Sequence, residues 1–378
     1  MHNRQNERNL LKRKLESGLS IHMPAPRRIG KTWTINRLAL DLRAAGWVVV
    51  EADVEGMRTP QKFAQDLCAR IEGALQAKDR FGAHLTQRLN NLLGGNWGHK
   101  PLDALGKVDP IEFVETLIAA LDETTDRAAI LIDEIAYFFL ALAEEVPKEA
   151  NTFAYRLRAL QQRYRNVRWV LTGSIGLETI ARRYGLEGAF VNFETFVLEP
   201  FTPDEARSYM RDPAVRQQFN HVFDASDADF DHVFAELGWL SPYYLKLIAN
   251  EVRPSIAGTD STPPTATRQD FEAALNKLLQ PSRNSDFAVW REHLQKNLSK
   301  PDQALAKHLL GVLSKAADGE TAETLLARAT QFKAKTTPRQ VKDLLNMLCM
   351  DNLIGGTAGR YAFRSGLIRR YWQEYEAD

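Results

Sequence analysis

The sequence predicts an α/β fold in which helices cover both faces of a parallel sheet, with a helix-rich region after it. Strand-like runs alternate with helical segments through about residue 200, and strand signals nearly vanish from Thr202 onward. Continuous apolar strands separated by helices are typical of a buried parallel sheet. The predicted strands are 19–23, 47–52, 129–132, 168–171 and 196–198. Apolar residues recur at helical spacing between them, as in 60–71, 110–121 and 152–164.

The second half of the chain divides at two places. A helix is predicted to begin at Thr202, with its hydroxyl as N-cap and Pro203 at the first helical position. The Pro-, Ser- and Thr-rich stretch 254–267 is predicted to be a linker, and 352–363 a β-hairpin around its glycines. We therefore expect three domains: a core over 1–200, a helical lid over 201–262 and a C-terminal domain over 263–378.

Composition favours a soluble intracellular protein. Of 378 residues 44% are apolar and 26% are charged, and the net charge of +1 argues against a uniformly basic coat for nucleic acid. Cys68 and Cys349 lie in apolar helix-like runs, so we expect two buried thiols and a cytoplasmic, reducing location. The first residues are polar and basic, so we expect no secretory signal. The apolar stretch 128–143 is interrupted by charges and is expected to be too short to span a bilayer. The segment 79–110 is expected to be a mobile insertion or a partner-binding element, and the mobile loop is favoured.

A phosphate-binding loop is predicted after the first strand. Backbone N–H groups of such a loop surround a β-phosphate at the positive end of the following helix. We expect Lys31 to reach the β- and γ-phosphates of ATP, and the hydroxyl of Thr32 to bind Mg²⁺. Ala25 stands where such loops usually have glycine. The loop, with Trp33 as a further nucleotide contact, comprises Ala25, Pro26, Arg27, Arg28, Ile29, Gly30, Lys31 and Thr32.

Two adjacent carboxylates end the third predicted strand, about a hundred residues after the loop. Adjacent positions at a strand end point in different directions, so the two groups can divide their work. We expect Asp133 to hold Mg²⁺ and Glu134 to orient and deprotonate the attacking water. The fourth strand ends in Thr172 and Ser174, and either hydroxyl could sense the γ-phosphate or only cap the strand.

These motifs resemble the archaeal-type ATPase branch of the STAND and AAA+ P-loop proteins. Besides the loop, the resemblance rests on Ile-Asp-Glu at 132–134, Leu-Thr-Gly-Ser at 171–174, and the segments 197–206 and 237–245. It implies a sheet of order 5-1-4-3-2, a helical lid and a C-terminal winged helix. It further implies that adenine lies between residues 6–10 and the lid, near Pro242. In that family the proline usually stands in a Gly-x-Pro motif. Here the local sequence is Leu-Ser-Pro, so the small residue before the proline is Ser241 rather than a glycine.

The resemblance also raises two open questions about basic residues. Arg182 and Arg183 occupy the region where AAA+ assemblies carry an arginine finger for a neighbouring subunit, but a solvated helix end would look the same. The stretch 331–370 has eight Lys/Arg and two Asp/Glu, a surplus of six. Its basic side chains could contact DNA, or the domain could only clamp the core. The basic positions on or before the predicted recognition helix and wing are Lys333, Lys335, Arg339, Lys342, Arg360 and Arg364.

The functional expectation is an ATP-binding and ATP-hydrolysing molecular switch that acts on a protein partner, a homo-oligomer or DNA. The alternative is a nucleotide-bound scaffold or DNA-binding module with negligible hydrolysis. Glu134 favours the switch, because a scaffold has no need of a base there. A kinase is disfavoured, since no acceptor-site residues stand out.

Overall fold

The computed structural model describes residues 4–25, 28–76, 110–174 and 176–376. The chain forms two compact units, one of residues 4–25 and 31–198 and one that includes residues 28–30 and 199–376. The predicted insertion 79–110 lies outside the described residues except for its last position. In the described ranges no helix is long and apolar enough to cross a membrane.

The first unit alternates strands and helices as predicted. Its strands are β1 (Ser20–Pro24), β2 (Val48–Asp53), β3 (Ala128–Asp133), β4 (Val167–Gly173) and β5 (Phe193–Thr195). Its helices are α1 (Gln5–Glu16), α2 (Lys31–Ala44), α3 (Pro60–Gln76), α4 (Pro110–Thr124), α5 (Ile135–Glu145), α6 (Pro147–Arg163), α7 (Leu177–Tyr184) and α8 (Glu187–Phe190).

All five strands are parallel in the order β2-β3-β4-β1-β5, which confirms the expected order 5-1-4-3-2. The side chains of β3 from Ala128 to Ile132 are buried, as a strand covered on both faces requires. Helices pack on the sheet through a cluster of phenylalanines, in which Phe138 lies 5.1 Å from Phe63 and 5.4 Å from Phe153 between ring centroids. Edge-to-face and tilted pairs of this kind add to the burial of the rings.

The fifth strand is three residues earlier than predicted. β5 is the half-exposed edge segment Phe193–Thr195, and it pairs only with β1. An edge strand with one face near solvent lacks a continuous apolar run. The strand was therefore predicted at the apolar residues that follow it. Phe196 continues the pairing through its N–H, which donates to the His22 carbonyl at 2.8 Å, but Val197 is 54% exposed.

The second unit is mostly helical. Its helices are α9 (Pro203–Arg211), α10 (Pro213–Arg216), α11 (Asp227–Leu237), α12 (Pro242–Glu251), α13 (Arg268–Leu278), a 3₁₀ turn (Pro281–Asp286), α14 (Ala288–Asn297), α15 (Lys300–Lys315), α16 (Ala322–Phe332), α17 (Pro338–Met350) and α18 (Gly366–Tyr375). Its strands are β6 (Asp224–Ala225), β7 (Thr265–Ala266), β8 (Glu320–Thr321), β9 (Ile354–Thr357) and β10 (Arg360–Phe363).

Three local predictions meet different outcomes in this unit. The start of α9 is as predicted, because Thr202 and Glu205 cap each other reciprocally. The predicted linker is more ordered than expected: Ile256 bridges Thr265, and β7 pairs with β6. The hairpin is β9–β10, but two of its glycines lie within β9 and the turn is Ala358-Gly359.

The C-terminal part has the helix and hairpin order expected of a winged helix. Helices α15, α16 and α17 precede the hairpin, and a three-stranded antiparallel sheet of order β8-β10-β9 forms beside them. Of the two cysteines, both free thiols, Cys68 is buried as predicted, whereas Cys349 on α17 is only partly buried. The boundary predicted between residues 262 and 263 stays a prediction.

Candidate nucleotide site

The loop between β1 and α2 begins as a continuation of the sheet. The N–H of Ala25 donates to the Gly173 carbonyl at 3.2 Å, which extends the pairing of β1 with β4. Gly30 has a φ of 94° and Arg28 a φ of 70°, so the loop turns through left-handed backbone conformations before α2. Lys31 and Thr32 are the first two residues of α2. Pro26 and Arg27 lie outside the described residues.

Lys31 lies between the two carboxylates that end β3. Its side chain is almost fully buried, and its ammonium group donates to Glu134 Oε1 and lies 3.0 Å from Asp133 Oδ1. A buried cation is stable only with such compensation. The structure thus brings together the loop lysine and the acidic pair, which are about a hundred residues apart in the sequence.

Asp133 accepts hydrogen bonds from the start of α2 and from the end of β4. Thr32 Oγ1 donates to Asp133 Oδ2 at 3.1 Å, and Thr172 Oγ1 donates to Asp133 Oδ1. Burial disfavours the charged carboxylate, but the charge of Lys31 and the hydrogen bonds outweigh it and hold the pKa of Asp133 below its ordinary value. Asp133 is therefore ionised at neutral pH.

Glu134 is held at both of its oxygens. Its backbone is left-handed, with a φ of 57°, in the residue immediately before α5. Oε1 accepts from Lys31, and Oε2 accepts from both the N–H and the hydroxyl of Ser174 at 2.9 and 3.0 Å. A left-handed backbone at a non-glycine residue, with a carboxylate that accepts three hydrogen bonds, is a combination often found at functional positions.

The polar end of β4 therefore positions the acidic pair. Thr172 and Ser174 are both buried, with Thr172 on Asp133 and Ser174 on Glu134. From the sequence, either hydroxyl could sense the γ-phosphate or only cap the strand; the structure places each of them on one carboxylate. Such pairing depends on the neighbouring positions of β3 and β4 in the sheet.

The donors present suit a hard divalent cation. Thr32 and Asp133 offer hydroxyl and carboxylate oxygens, the ligand type that Mg²⁺ prefers alongside water and phosphate. No cluster of three or more His, Cys, Asp or Glu that could hold a metal occurs in the described ranges. A site completed by phosphate oxygens and water needs no such cluster.

Other predicted site residues lie elsewhere in the same unit. Arg182 and Arg183 are exposed in the last turn of α7, where Arg183 packs over the ring of Tyr184 at 5.4 Å. Trp33 on α2 is half-buried. The guanidinium carbons of Arg8 and Arg37 lie over its ring, 6.0 and 5.8 Å from the ring centroid.

Three predicted nucleotide contacts belong to the second unit. Ile29 is buried there, and Pro242 is the first residue of α12, which Ser241 caps by accepting from the Tyr244 N–H at 3.3 Å. Arg28 packs over the ring of Tyr243 at 4.0 Å and donates to the carbonyl of Asp286. Sequence reasoning missed these partners of Arg28, because no periodicity connects positions 258 residues apart.

Comparison with protein families identifies the segment that carries this site. Residues 16–181 match the profile of the AAA domain. This segment is therefore similar to AAA domains. A search of curated protein sequences found no match.

Solved structures resemble the chain beyond the AAA domain. The Walker-type ATPase paby2304 of Pyrococcus abyssi is 14% identical with a TM-score of 0.64, covering 99% of this chain and 96% of that one. The ORC2 protein of Aeropyrum pernix, solved as ADPNP-ADP complexes, is 12% identical with a TM-score of 0.55, covering 99% and 93%. At such identities the likeness shows a shared fold alone.

Proposed function

We propose that the chain binds ATP with Mg²⁺, hydrolyses it, and uses the change of nucleotide to act on a protein partner or on DNA. The AAA domain supports the general class, an ATPase-type nucleotide-binding protein. The observation that carries the finer proposal is Glu134, which lies beside Lys31 and is oriented by two hydrogen bonds from Ser174.

Each residue of the cluster has a role in this proposal. Lys31 would leave the carboxylates to contact the β- and γ-phosphates, and Thr32 and Asp133 would hold Mg²⁺. The cation supplies charge neutralisation at the phosphates when bound. Glu134 accepts a proton from the water that attacks the γ-phosphorus, while the bond to the β-phosphate oxygen breaks and ADP leaves.

Phosphate release from ATP by the full chain tests the proposal. We expect turnover with Mg²⁺ and loss of turnover when EDTA removes the cation, with recovery on re-addition. Turnover unaffected by EDTA would contradict the assignment of Thr32 and Asp133. A Thr32→Ala variant separates the site from a contaminating ATPase, because only the protein's own turnover would fall.

A second function is favoured by one specific observation. Both Glu134 oxygens are engaged, Oε1 by Lys31 and Oε2 by Ser174, which is an arrangement that also suits a carboxylate with a purely structural role. In that case nucleotide would stabilise the fold and hydrolysis would be negligible. Bound ATP that stays intact for hours, with or without DNA, would support the scaffold and exclude the switch.

The STAND or AAA+ character and the assembly state are also proposals. Arg182 and Arg183 are exposed and cationic at the end of α7, which supports a role toward a neighbouring subunit. Light scattering with and without ATP tests assembly, and a persistent monomer would exclude it. A cytoplasmic location is supported by the two free thiols, and cell fractionation tests it.

DNA binding by the C-terminal part of the chain has mixed support. Lys335, Arg339 and Lys342 are exposed on or before α17, and the Arg339 side chain is 92% exposed. Arg360 and Arg364, predicted to reach DNA from the wing, instead donate to nearby carbonyls, Arg360 to those of Asp318 and Gly319. Hairpin side chains engaged in this way argue against DNA contact by the wing, whereas the exposed side chains of α17 favour DNA.

A further inference from the structure

A groove between α15 and α16 is separate from both the nucleotide site and the exposed face of α17. It encloses about 520 Å³, within the range of pockets that bind small organic ligands. Side chains from α15, α16 and β8 line it, including Lys307, His308, Lys315, Glu320, Arg328 and Phe332. No role proposed above uses this groove.

Two aromatic rings form one wall. The rings of His308 and Phe332 are stacked, with centroids 4.4 Å apart and planes at 13°. Phe332 nevertheless remains 48% exposed, so part of its ring is accessible to a ligand. His308 Nε2 is buried without a hydrogen-bond partner in the part of the chain that the structure describes. A flat ligand could extend the stack, and a polar ligand atom could satisfy the imidazole.

Three of the other lining side chains are cationic. Lys307, Lys315 and Arg328 contribute three positive charges against the single carboxylate of Glu320, a surplus of two with His308 neutral. Lys307 also lies 3.7 Å from Glu376, which offsets its charge. Lys315 and Arg328 are both exposed at the groove, where they contribute the other two positive charges.

We propose that this groove binds a nucleotide unit, with its base against Phe332 and its phosphate near Lys315 and Arg328. An exposed ring beside lysine and arginine is the combination that binds bases and phosphates of unpaired strands. The unit belongs either to a single strand of nucleic acid or to a free mononucleotide, which share this chemistry. An acidic peptide would use the cations but leave the ring stack without a function.

Fluorescence anisotropy of the full chain with a labelled thymidine dodecamer tests the proposal. The dodecamer has no triphosphate, so it does not report on the loop of the AAA domain. We expect Phe332→Leu to weaken binding about tenfold through loss of stacking. The double variant Lys315→Ala with Arg328→Ala should flatten the log–log salt dependence by about 0.7, for the one phosphate of the bound unit on a single strand. Tyr155→Leu, at a ring 41% exposed on the AAA unit, is the matched control and should change nothing.

A second measurement locates the base directly. A dodecamer with 5-iododeoxyuridine should photo-cross-link to the tryptic peptide 329–333, which contains Phe332. Competition by thymidine monophosphate distinguishes the sources: displacement at similar concentration identifies free nucleotide, and no displacement identifies the strand. Whichever source is identified, Phe332→Leu must weaken its binding for the proposal to hold.

The proposal is overturned if Phe332→Leu binds both probes like the wild type. It is equally overturned if Lys342→Ala alone weakens binding of the dodecamer, because that would place the binding site on α17. Binding of an oligoglutamate that depends on Lys315 and Arg328 but not on Phe332 would show an acidic-peptide site instead. Because Lys315 and Arg328 are exposed, their variant should fold even if Phe332→Leu does not, and the salt dependence then decides.

Discussion

The ammonium group of Lys31 contacts the carboxylate of Glu134 and also lies 3.0 Å from Asp133 Oδ1. One buried cation thus serves two carboxylates that the sequence assigns to separate tasks. A phosphate entering the loop competes for the same cation, so nucleotide binding must rearrange this group. The pairing connects the loop to both acidic residues and is the basis of the predictions on nucleotide.

Replacing Lys31 by alanine should weaken ATP binding by about 2–3 kcal/mol, because a charge-assisted contact to phosphate is lost. Calorimetric titration of the variant with ATP and Mg²⁺ measures the change. Lys62→Ala, at an exposed lysine on α3, is the control and should bind like the wild type. An unchanged affinity in the Lys31 variant would show that the loop does not bind phosphate as proposed.

The exposed arginines of α7 should matter only if subunits meet. If Arg182 or Arg183 acts on a neighbouring site, ATP turnover per subunit should rise with protein concentration. Mixing an Arg182→Ala/Arg183→Ala protein with Glu134→Gln protein should then restore part of the activity that each lacks alone. Turnover that does not depend on concentration, from a protein that remains monomeric, would exclude a finger.

The α17 face of the tail should bind duplex DNA electrostatically if the DNA hypothesis holds. Replacing Lys335, Arg339 and Lys342 by alanine should flatten the log–log salt dependence by about 2.7 and weaken all sequences alike. Arg360→Ala serves as the comparison, since its guanidinium already donates to two carbonyls and should contribute little. Filter binding across salt concentrations measures both, and a flat wild-type curve would leave only the clamp.

Gly366 should be intolerant of any side chain although its backbone is not left-handed. A β-carbon there would lie 2.2 Å from the Glu236 carbonyl oxygen, a backbone atom at which α11 meets the start of α18. Gly366→Ala should therefore destabilise the protein by about 1–3 kcal/mol, measured by denaturant unfolding. Gly56→Ala is the control, because a β-carbon there meets nothing within 4 Å. Equal stability of the two variants would mean that α11 and α18 do not pack so closely.

Sequence reasoning reached the fold because the β strands around the site are buried on both faces and their apolar runs are continuous. It misplaced β5 because an edge strand lacks that signal, and the apolar Phe196 and Leu198 follow it. The order of the strands came from resemblance rather than from the pattern of any single segment.

The chemistry of the site was predictable in kind but not in its internal contacts. Lys31, Asp133 and Glu134 stand in recognisable motifs, whereas the choice of Thr172 for Asp133 and Ser174 for Glu134 depends on sheet geometry. Arg360 shows the converse error. Its position on the hairpin was predicted. The backbone carbonyls of residues 318 and 319 that accept its hydrogen bonds carry no formal charge, so counting charged residues could not reveal them.

ATP turnover by the Glu134→Gln variant tests the central claim most directly. The amide preserves size and can still accept from Ser174, but it cannot take a proton from water. If Glu134 is the base, the variant should bind ATP at least as well as the wild type and lose turnover by about a hundredfold or more. Single-turnover assays with radiolabelled ATP, alongside calorimetry, measure the two quantities separately. Turnover in the variant equal to that of an active wild type would contradict the assignment of Glu134 and the mechanism built on it.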